Sequence, residues 1–301
     1  MRRILFSLCL GAFAHAGHAA PLQVVTDIAP VQSLVAMVMG DLGTPLVLLP
    51  GAGDPHDFQL RPSQARALAG ADLVIWIGPE LTPSLAHSMA ALAAKAHSIA
   101  LLDQPETQTL DFAPGEAEGD EGEGHGHKGL NPHAWLAPEN GRVWLGLIAR
   151  ELSSLDPENA ERYAANAARA QAEITVAEAA IAAMLTPVQA RGFAVYHDAY
   201  GYFANTFGLH VVGSLRQGDA ATPGAAHLKA LQAELRQTQA VCLFPEVNHD
   251  DAAMYRLAET TGLRLGTALD PVGTATTAGV GLYIAVLEGL AVSIADCLAQ
   301  D

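Results

Sequence analysis

Three histidines and one aspartate occupy equivalent places in the chain, each just past an apolar strand or extended segment. His56 follows the run 45–49 in Gly51-Ala52-Gly53-Asp54-Pro55-His56-Asp57-Phe58. His133 stands in Asn131-Pro132-His133-Ala134-Trp135-Leu136-Ala137-Pro138, where two prolines and the Asn-Pro start favour a stiff, extended backbone. His197 ends the run 193–196 and is followed by Asp198, and Asp270 ends the run 265–269 with Pro271 next. Ligands of βα sheets bind outside the carboxyl ends of the strands. Three neutral imidazoles plus a carboxylate match a small tetrahedral zinc site. Cu(II) or Ni(II) would fit almost as well on ligand softness. Manganese or calcium would more often show more oxygen donors. None of these histidines falls in a tight motif such as His-Glu-x-x-His, so the alternative is four unrelated surface or capping residues.

The elements that must position these residues alternate. Strands are expected at 22–28, 45–49, 71–77 and 98–102, with helices at 31–39, 63–69 and 85–96 between them. Continuous apolar runs such as Leu73-Val74-Ile75-Trp76-Ile77 suit parallel strands buried on both faces. A helix is expected at 138–154. Asp156 then offers an N-cap with Pro157 at the first helical position, and the pattern continues to about Leu185. Tyr163, Ala167, Ala170, Ile174, Ala177, Ile181 and Met184 form one stripe on that helix. About 29 residues at ~1.5 Å each give a rod of ~43 Å, longer than one small domain. After it, strands at 192–197, 211–214, 240–244 and 264–269 alternate with helices at 200–207, 225–238 and 251–261, and a last helix ends near Leu298. The expected fold is α/β: two βα lobes with mainly parallel four-stranded sheets, joined by a long backbone helix, with a metal site in the cleft between the lobes. The division is 20–137 for the first lobe, 138–187 for the linking helices and 188–301 for the second lobe.

The chain has 301 residues, half of them hydrophobic and 16% charged, so it can bury a sizeable core. Its formal net charge of −16 argues against nucleic acids and anionic membrane surfaces as partners and suits handling of cations. Residues 1–19 read as an export signal: Arg2 and Arg3, a short apolar run from Ile4 to Phe13, and small residues for cleavage near Ala19. Cys9 leaves with that segment. Cys242 and Cys297 remain, and two cysteines in an exported chain most simply pair as a disulfide, the alternative being two buried free thiols. The segment 115–129 is acidic and glycine-rich, has no core-forming residues and reads as a loop. Its His125 and His127, among five acidic side chains, offer an auxiliary metal site, against the plain reading of a solvated linker.

Taken together, these motifs resemble the periplasmic zinc-binding proteins of ABC importers over nearly the whole chain after the signal. The resemblance rests on Asp54-Pro55-His56-Asp57-Phe58 with Arg61-Pro62-Ser63, on Asn131-Pro132-His133-Ala134-Trp135-Leu136 and on Tyr196-His197-Asp198-Ala199-Tyr200. Asp270-Pro271-Val272-Gly273 and the Cys242/Cys297 pair complete it. It implies two βα lobes joined by a rigid helix, with His56, His133 and His197 as metal ligands. Some receptors of this kind carry a glutamate where Pro55 stands here. Proline cannot coordinate through its side chain, so the resemblance implies Asp270 as the fourth ligand, as in relatives that use the late aspartate. Manganese-selective relatives place a glutamate at the position of His197, which argues for zinc.

The resemblance implies a periplasmic receptor that captures Zn2+ and delivers it to an inner-membrane ABC permease driven by a cytoplasmic ATPase. A periplasmic zinc metallochaperone is a candidate donor, and the protein is expected to be monomeric. A receptor of the same family for Mn2+ or another divalent ion is the alternative. Two other classes are weaker. A zinc hydrolase needs an open metal position that Asp270 would fill, and a storage or adhesion protein needs several comparable sites. Asp57 and Asp198 adjoin ligands and are candidates to orient them. Glu246 and His249 follow a strand and are expected at the cleft rim. His210, His227 and His249 show no partners at ligand spacing, and His87 and His97 read as solvent-exposed.

Overall fold

The computed structural model describes residues 21–51, 55–56, 59–112, 129–216, 224–247 and 249–300. Two four-stranded parallel sheets organise the chain. In the first, β1 (Val24–Ile28), β2 (Leu46–Leu49), β3 (Leu73–Trp76) and β4 (His97–Ala100) lie in the order β2-β1-β3-β4. In the second, β5 (Gly192–His197), β6 (His210–Arg216), β7 (Cys242–Phe244) and β8 (Arg264–Leu265) lie in the order β6-β5-β7-β8. The central strands β1, β3, β5 and β7 are buried along their whole length, as strands covered on both faces are; β3 and β7 are unbroken apolar runs, while β1 also buries Thr26 and Asp27.

Helices α1 (Ala29–Met39), α2 (Pro62–Ala69) and α3 (Pro83–Leu92) accompany the first sheet, and α6 (Gly201–Phe207), α7 (Ala225–Gln237) and α8 (Ala252–Thr261) the second. Between them run α4 (Pro138–Leu155) and the 26-residue α5 (Ala160–Leu185), which spans ~39 Å. The last helix, α9 (Leu282–Leu298), packs on both α1 and α5. One apolar core therefore runs across both sheets through Val35, Trp144, Ile174, Phe203, Phe244 and Leu290. Two smaller clusters cover the outer faces of the sheets, under α2 and α3 on one side and under α7 and α8 on the other.

Three local expectations change. Asp156 does not cap a long helix directly. Residues Pro157–Asn159 form a 3-10 turn, and the Asp156 carboxylate instead accepts hydrogen bonds from Asn159 Nδ2 (2.7 Å) and Tyr163 OH (2.9 Å). The α5 stripe is buried from Tyr163 to Ile181 but ends on Leu185, while Met184 is exposed. A spacing of 3.5 residues drifts by ~20° per heptad against the 3.6 of a straight helix, so after three heptads the next residue faces the core. The expected strand 264–269 breaks after two residues at Gly266, where any side chain would collide with the Phe244 ring, and rejoins β7's extension through a Glu246–Leu269 bridge.

Cys242 and Cys297 form a disulfide with Cα atoms 6.4 Å apart, which ties β7 to α9. Among the described residues no helix is long and apolar enough to cross a membrane. The segment carrying His125 and His127, and the export signal, lie outside the described residues.

Candidate metal centre

His133 is presented by a short backbone segment that side chains from three helices hold in place. Pro132 bars a regular helix, and Ala134–Leu136 instead make a buried 3-10 turn. Asn140 of α4 donates to the carbonyl of Ala134 (3.0 Å). Tyr202 OH of α6 donates to the carbonyl of Asn131 (2.8 Å), and Tyr283 OH of α9 to that of Trp135 (2.9 Å). Trp135 Nε1 donates to the carbonyl of Pro271 (2.8 Å), which joins the His133 segment to the segment bearing Asp270. The His133 ring is thus 2% exposed, between the rings of Trp135 at 5.2 Å and His197 at 5.2 Å.

His197 arrives at the end of β5, and Glu246 follows β7. With β5 and β7 adjacent at the point where strand order reverses, these two residues flank the crevice that open α/β sheets use for ligands. His197 Nδ1 lies 2.6 Å from Glu246 Oε2, and Tyr200 OH donates to the same oxygen at 2.8 Å. Glu246 is 4% exposed. Burial pushes its carboxyl up, but the charge of His197 and hydrogen bonds from His197 and His249 outweigh this and hold it down at about 2. Tyr200 is raised well above the ordinary phenol value by burial and then by the Glu246 charge, so its hydroxyl stays a donor.

On His133 the corresponding role falls to Asn131, whose Oδ1 accepts from both the backbone N–H and the Nδ1 of His133 (3.0 and 2.9 Å). An amide oxygen and an ionised carboxylate only accept, so both Nδ1 atoms carry a proton, and in the neutral rings Nε2 is the atom that holds the lone pair. These two Nε2 atoms face one another at 3.3 Å. His56 follows β2, and its ring centroid lies 5.6 Å from that of His133. The His133 ring thus lies against both His56, which follows β2 of the first sheet, and His197, which ends β5 of the second.

Asp270 is half-buried. Its Oδ1 accepts from Thr274 N (2.9 Å) and Oγ1 (3.3 Å), and its Oδ2 from Ala275 N (2.8 Å). Its charge acts on Tyr200, which stands on the Glu246 side of the site. The carboxylate keeps a further lone pair beyond these bonds. Among the described residues no three His, Cys, Asp or Glu side chains are gathered as an ion would hold them.

Sequence reasoning placed Asp57 and Asp198 as orienting acceptors and gave His249 no partner. Asp57 lies outside the described residues. Asp198 is buried, and its backbone carbonyl accepts from Asn131 Nδ2 at 3.4 Å. The acceptors found on His133 and His197 are Asn131 and Glu246, and His249 Nε2 stands 3.3 Å from Glu246 Oε1. Glu246 was legible only through the strand order, because it is 49 residues from His197. His97 is exposed as expected and pairs with Glu151 at 3.0 Å.

A protein of Paracoccus denitrificans named "High-affinity zinc uptake system protein ZnuA" is 46% identical, with 99% of this chain and 98% of that protein aligned. A Yersinia pestis protein of the same name is 34% identical over 91% of each chain. A solved structure described as "Crystal structure of ZnuA" superposes with a TM-score of 0.78 at 25% identity, covering 92% of this chain and 99% of that one. The Pseudomonas aeruginosa solute-binding protein FpvC, solved with Mn2+, shares the fold with a TM-score of 0.81 at 21% identity, over 93% of this chain and 99% of that one. The family model for the zinc-uptake complex component A, periplasmic, matches residues 24–297, and the chain belongs to that family.

Proposed function

We propose that this chain captures Zn2+ in the periplasm with the Nε2 atoms of His56, His133 and His197 and the carboxylate of Asp270. It then delivers the ion to an inner-membrane permease driven by a cytoplasmic ATPase. One observation carries the reading: Nε2 of His133 and Nε2 of His197 converge at 3.3 Å. Two neutral rings that both donate through Nδ1 need a proton or a metal cation between these atoms. Ligands ~2.0–2.1 Å from a tetrahedral zinc are ~3.3–3.4 Å apart, so the pair already forms one edge of that tetrahedron. Asn131 and Glu246 fix the tautomer that this needs.

The relatives named as zinc uptake proteins support zinc as the cargo, and the family's description as a periplasmic component supports export, with cleavage near Ala19. Binding without chemistry is supported by Asp270, which would fill the position that a zinc hydrolase keeps for water. The division into lobes 20–137 and 188–301 with linking helices 138–187 is supported by the two sheets, although α9 packs back across α1 and α5. The acidic segment with His125 and His127 as an auxiliary site, a metallochaperone donor and a monomeric state complete the proposal.

The test is a Zn2+ titration of the mature protein against a chelator, at neutral pH and down through pH 6. One tight ion per chain is expected, lost in His133→Ala and weakened as the histidines protonate below ~6. Tight binding that survives His133→Ala would defeat the proposal. A higher affinity for Mn2+ than for Zn2+ would favour the manganese alternative.

A further inference from the structure

The zinc site has a neighbour of matching geometry that the proposed ligand set does not use. Glu246 Oε2 is occupied by His197 and Tyr200, while Oε1 faces His249 Nε2 at 3.3 Å. That is the same separation as between the two inner Nε2 atoms, again one edge of a small tetrahedral site. His249 is the outermost of the group: its side chain is 21% exposed, against 10% for His197 and 5% for Glu246. Its ring stacks on Tyr196 at 4.7 Å, and its centroid lies 6.1 Å from that of His197, about one ring's step away.

The surroundings of His249 attract a cation. Asp250 and Asp251 follow it directly, and the charges of Asp250, His249 and Glu246 all act on Asp251. Asp251 Oδ1 is a buried atom with no hydrogen-bond partner among the described residues, while a backbone N–H of Glu246 bonds the same carboxylate.

We propose that His249 Nε2 and Glu246 Oε1 form an outer station that receives Zn2+ from solvent and passes it inward to the His133–His197 pair. The proposal rests on the zinc-receptor reading given above. One carboxylate serves both places, which makes the station a waypoint and not a store. A cation on Oε1 draws charge away from Oε2 and weakens the hold of Glu246 on His197 Nδ1–H. That makes His197 a poorer ligand for as long as the outer position is filled. Transfer inward relieves the conflict, because Glu246 then again polarises His197 toward the ion.

The experiment is stopped-flow acquisition of Zn2+ from a fluorescent chelator by the mature protein, with release into excess chelator measured in parallel. His249→Ala and His249→Phe are compared with the unsubstituted chain. Both variants are expected to acquire zinc more slowly, on the order of tenfold, the low end of what focused charge adds to an on-rate. Release should slow by a similar factor, because a waypoint lies on both paths. Acquisition at the unsubstituted rate in both variants would overturn the proposal. So would recovery of the rate by Phe alone, which keeps the stack on Tyr196 and removes the nitrogen. A loss of affinity with acquisition unchanged would assign His249 to holding Glu246 in place and would overturn it as well. An unsubstituted chain that binds no zinc would instead defeat the receptor reading itself.

Discussion

Trp135 and Pro271 are 136 residues apart and are joined by a 2.8 Å hydrogen bond from the indole N–H to the backbone carbonyl. The bond locks the segment that presents His133 to the segment that presents Asp270, and Trp135 itself is 1% exposed. Trp135→Phe keeps an aromatic ring but leaves the Pro271 carbonyl without this donor. Stability should fall by about 1–3 kcal/mol, the cost of a buried acceptor left unmade. Zinc affinity should fall too, because two proposed ligands lose their mutual reference. Chemical denaturation and a chelator competition on the same samples check both. An unchanged zinc affinity would show that the bond serves the fold alone.

Glu246 sets the protonation of His197 from one side while Tyr200 fixes the carboxylate from the other. Glu246→Gln preserves shape and removes the charge. Losses of outer partners of this kind cost about 10–100-fold in metal affinity, and that range is expected here. Glu246→Gln touches both places and is expected to change affinity and rate together, whereas the His249 variants change rates alone. Isothermal titration with a competing chelator measures the affinity, with circular dichroism to confirm that the variant folds. Affinity within error of the unsubstituted chain would mean that His197 needs no polarising partner.

Much of this architecture was readable from the chain. The apolar runs of β1, β3 and β5 admitted only buried parallel strands, and β5 matches its expected bounds. His56, His133 and His197 stand out in the chain because each follows a strand or extended segment, and the His133 ring lies 5.6 Å from that of His56 and 5.2 Å from that of His197. What the chain hid is long-range pairing. Nothing local marks Asn131 as the acceptor for His133 rather than as half of a turn, or Glu246 as the partner of a histidine on another strand. Neighbours in sequence, Asp57 and Asp198, drew attention because adjacency is visible and strand order is not. The helix stripe failed at Met184 for a similar reason: small angular drift accumulates over a long helix and cannot be seen in any one turn.

The disulfide gives a stability prediction. Cys242 and Cys297 are both buried, and they close a loop of 55 residues between β7 and α9. In the chain-entropy model a loop of that length is worth about 4 kcal/mol. Reduction by dithiothreitol in partial denaturant, or the Cys242→Ala/Cys297→Ala pair, should lower the unfolding free energy by about that amount. Zinc binding should survive in native buffer, because neither cysteine touches the site. Denaturation with and without reductant is the check, and coincident curves would remove the disulfide from the account of stability.

Asp27 gives a pH prediction that is independent of the metal. It lies near the end of β1 with no exposed surface; its Oδ1 accepts from Ile28 N and its Oδ2 from Ile77 N, both at 2.8 Å. Burial raises its carboxyl from 3.8 to about 6, even though these backbone donors pull the other way. The folded state therefore prefers the protonated form. Below pH ~4 the group is protonated folded or unfolded and contributes nothing. As pH rises from ~4 to ~6 the unfolded chain releases the proton first and stability is lost. Above pH ~6 the loss is complete, on the order of 3 kcal/mol. Asp27→Asn has no such titration. The variant should therefore gain on the unsubstituted chain between pH 4 and pH 7 by about that amount, whatever constant offset its altered hydrogen bonds add. Urea denaturation of both proteins at pH 4, 5, 6 and 7 measures the difference, with zinc removed by chelator so that metal binding does not add its own dependence. A stability difference that is flat across this range would show that Asp27 titrates in the folded chain as it does in the unfolded one.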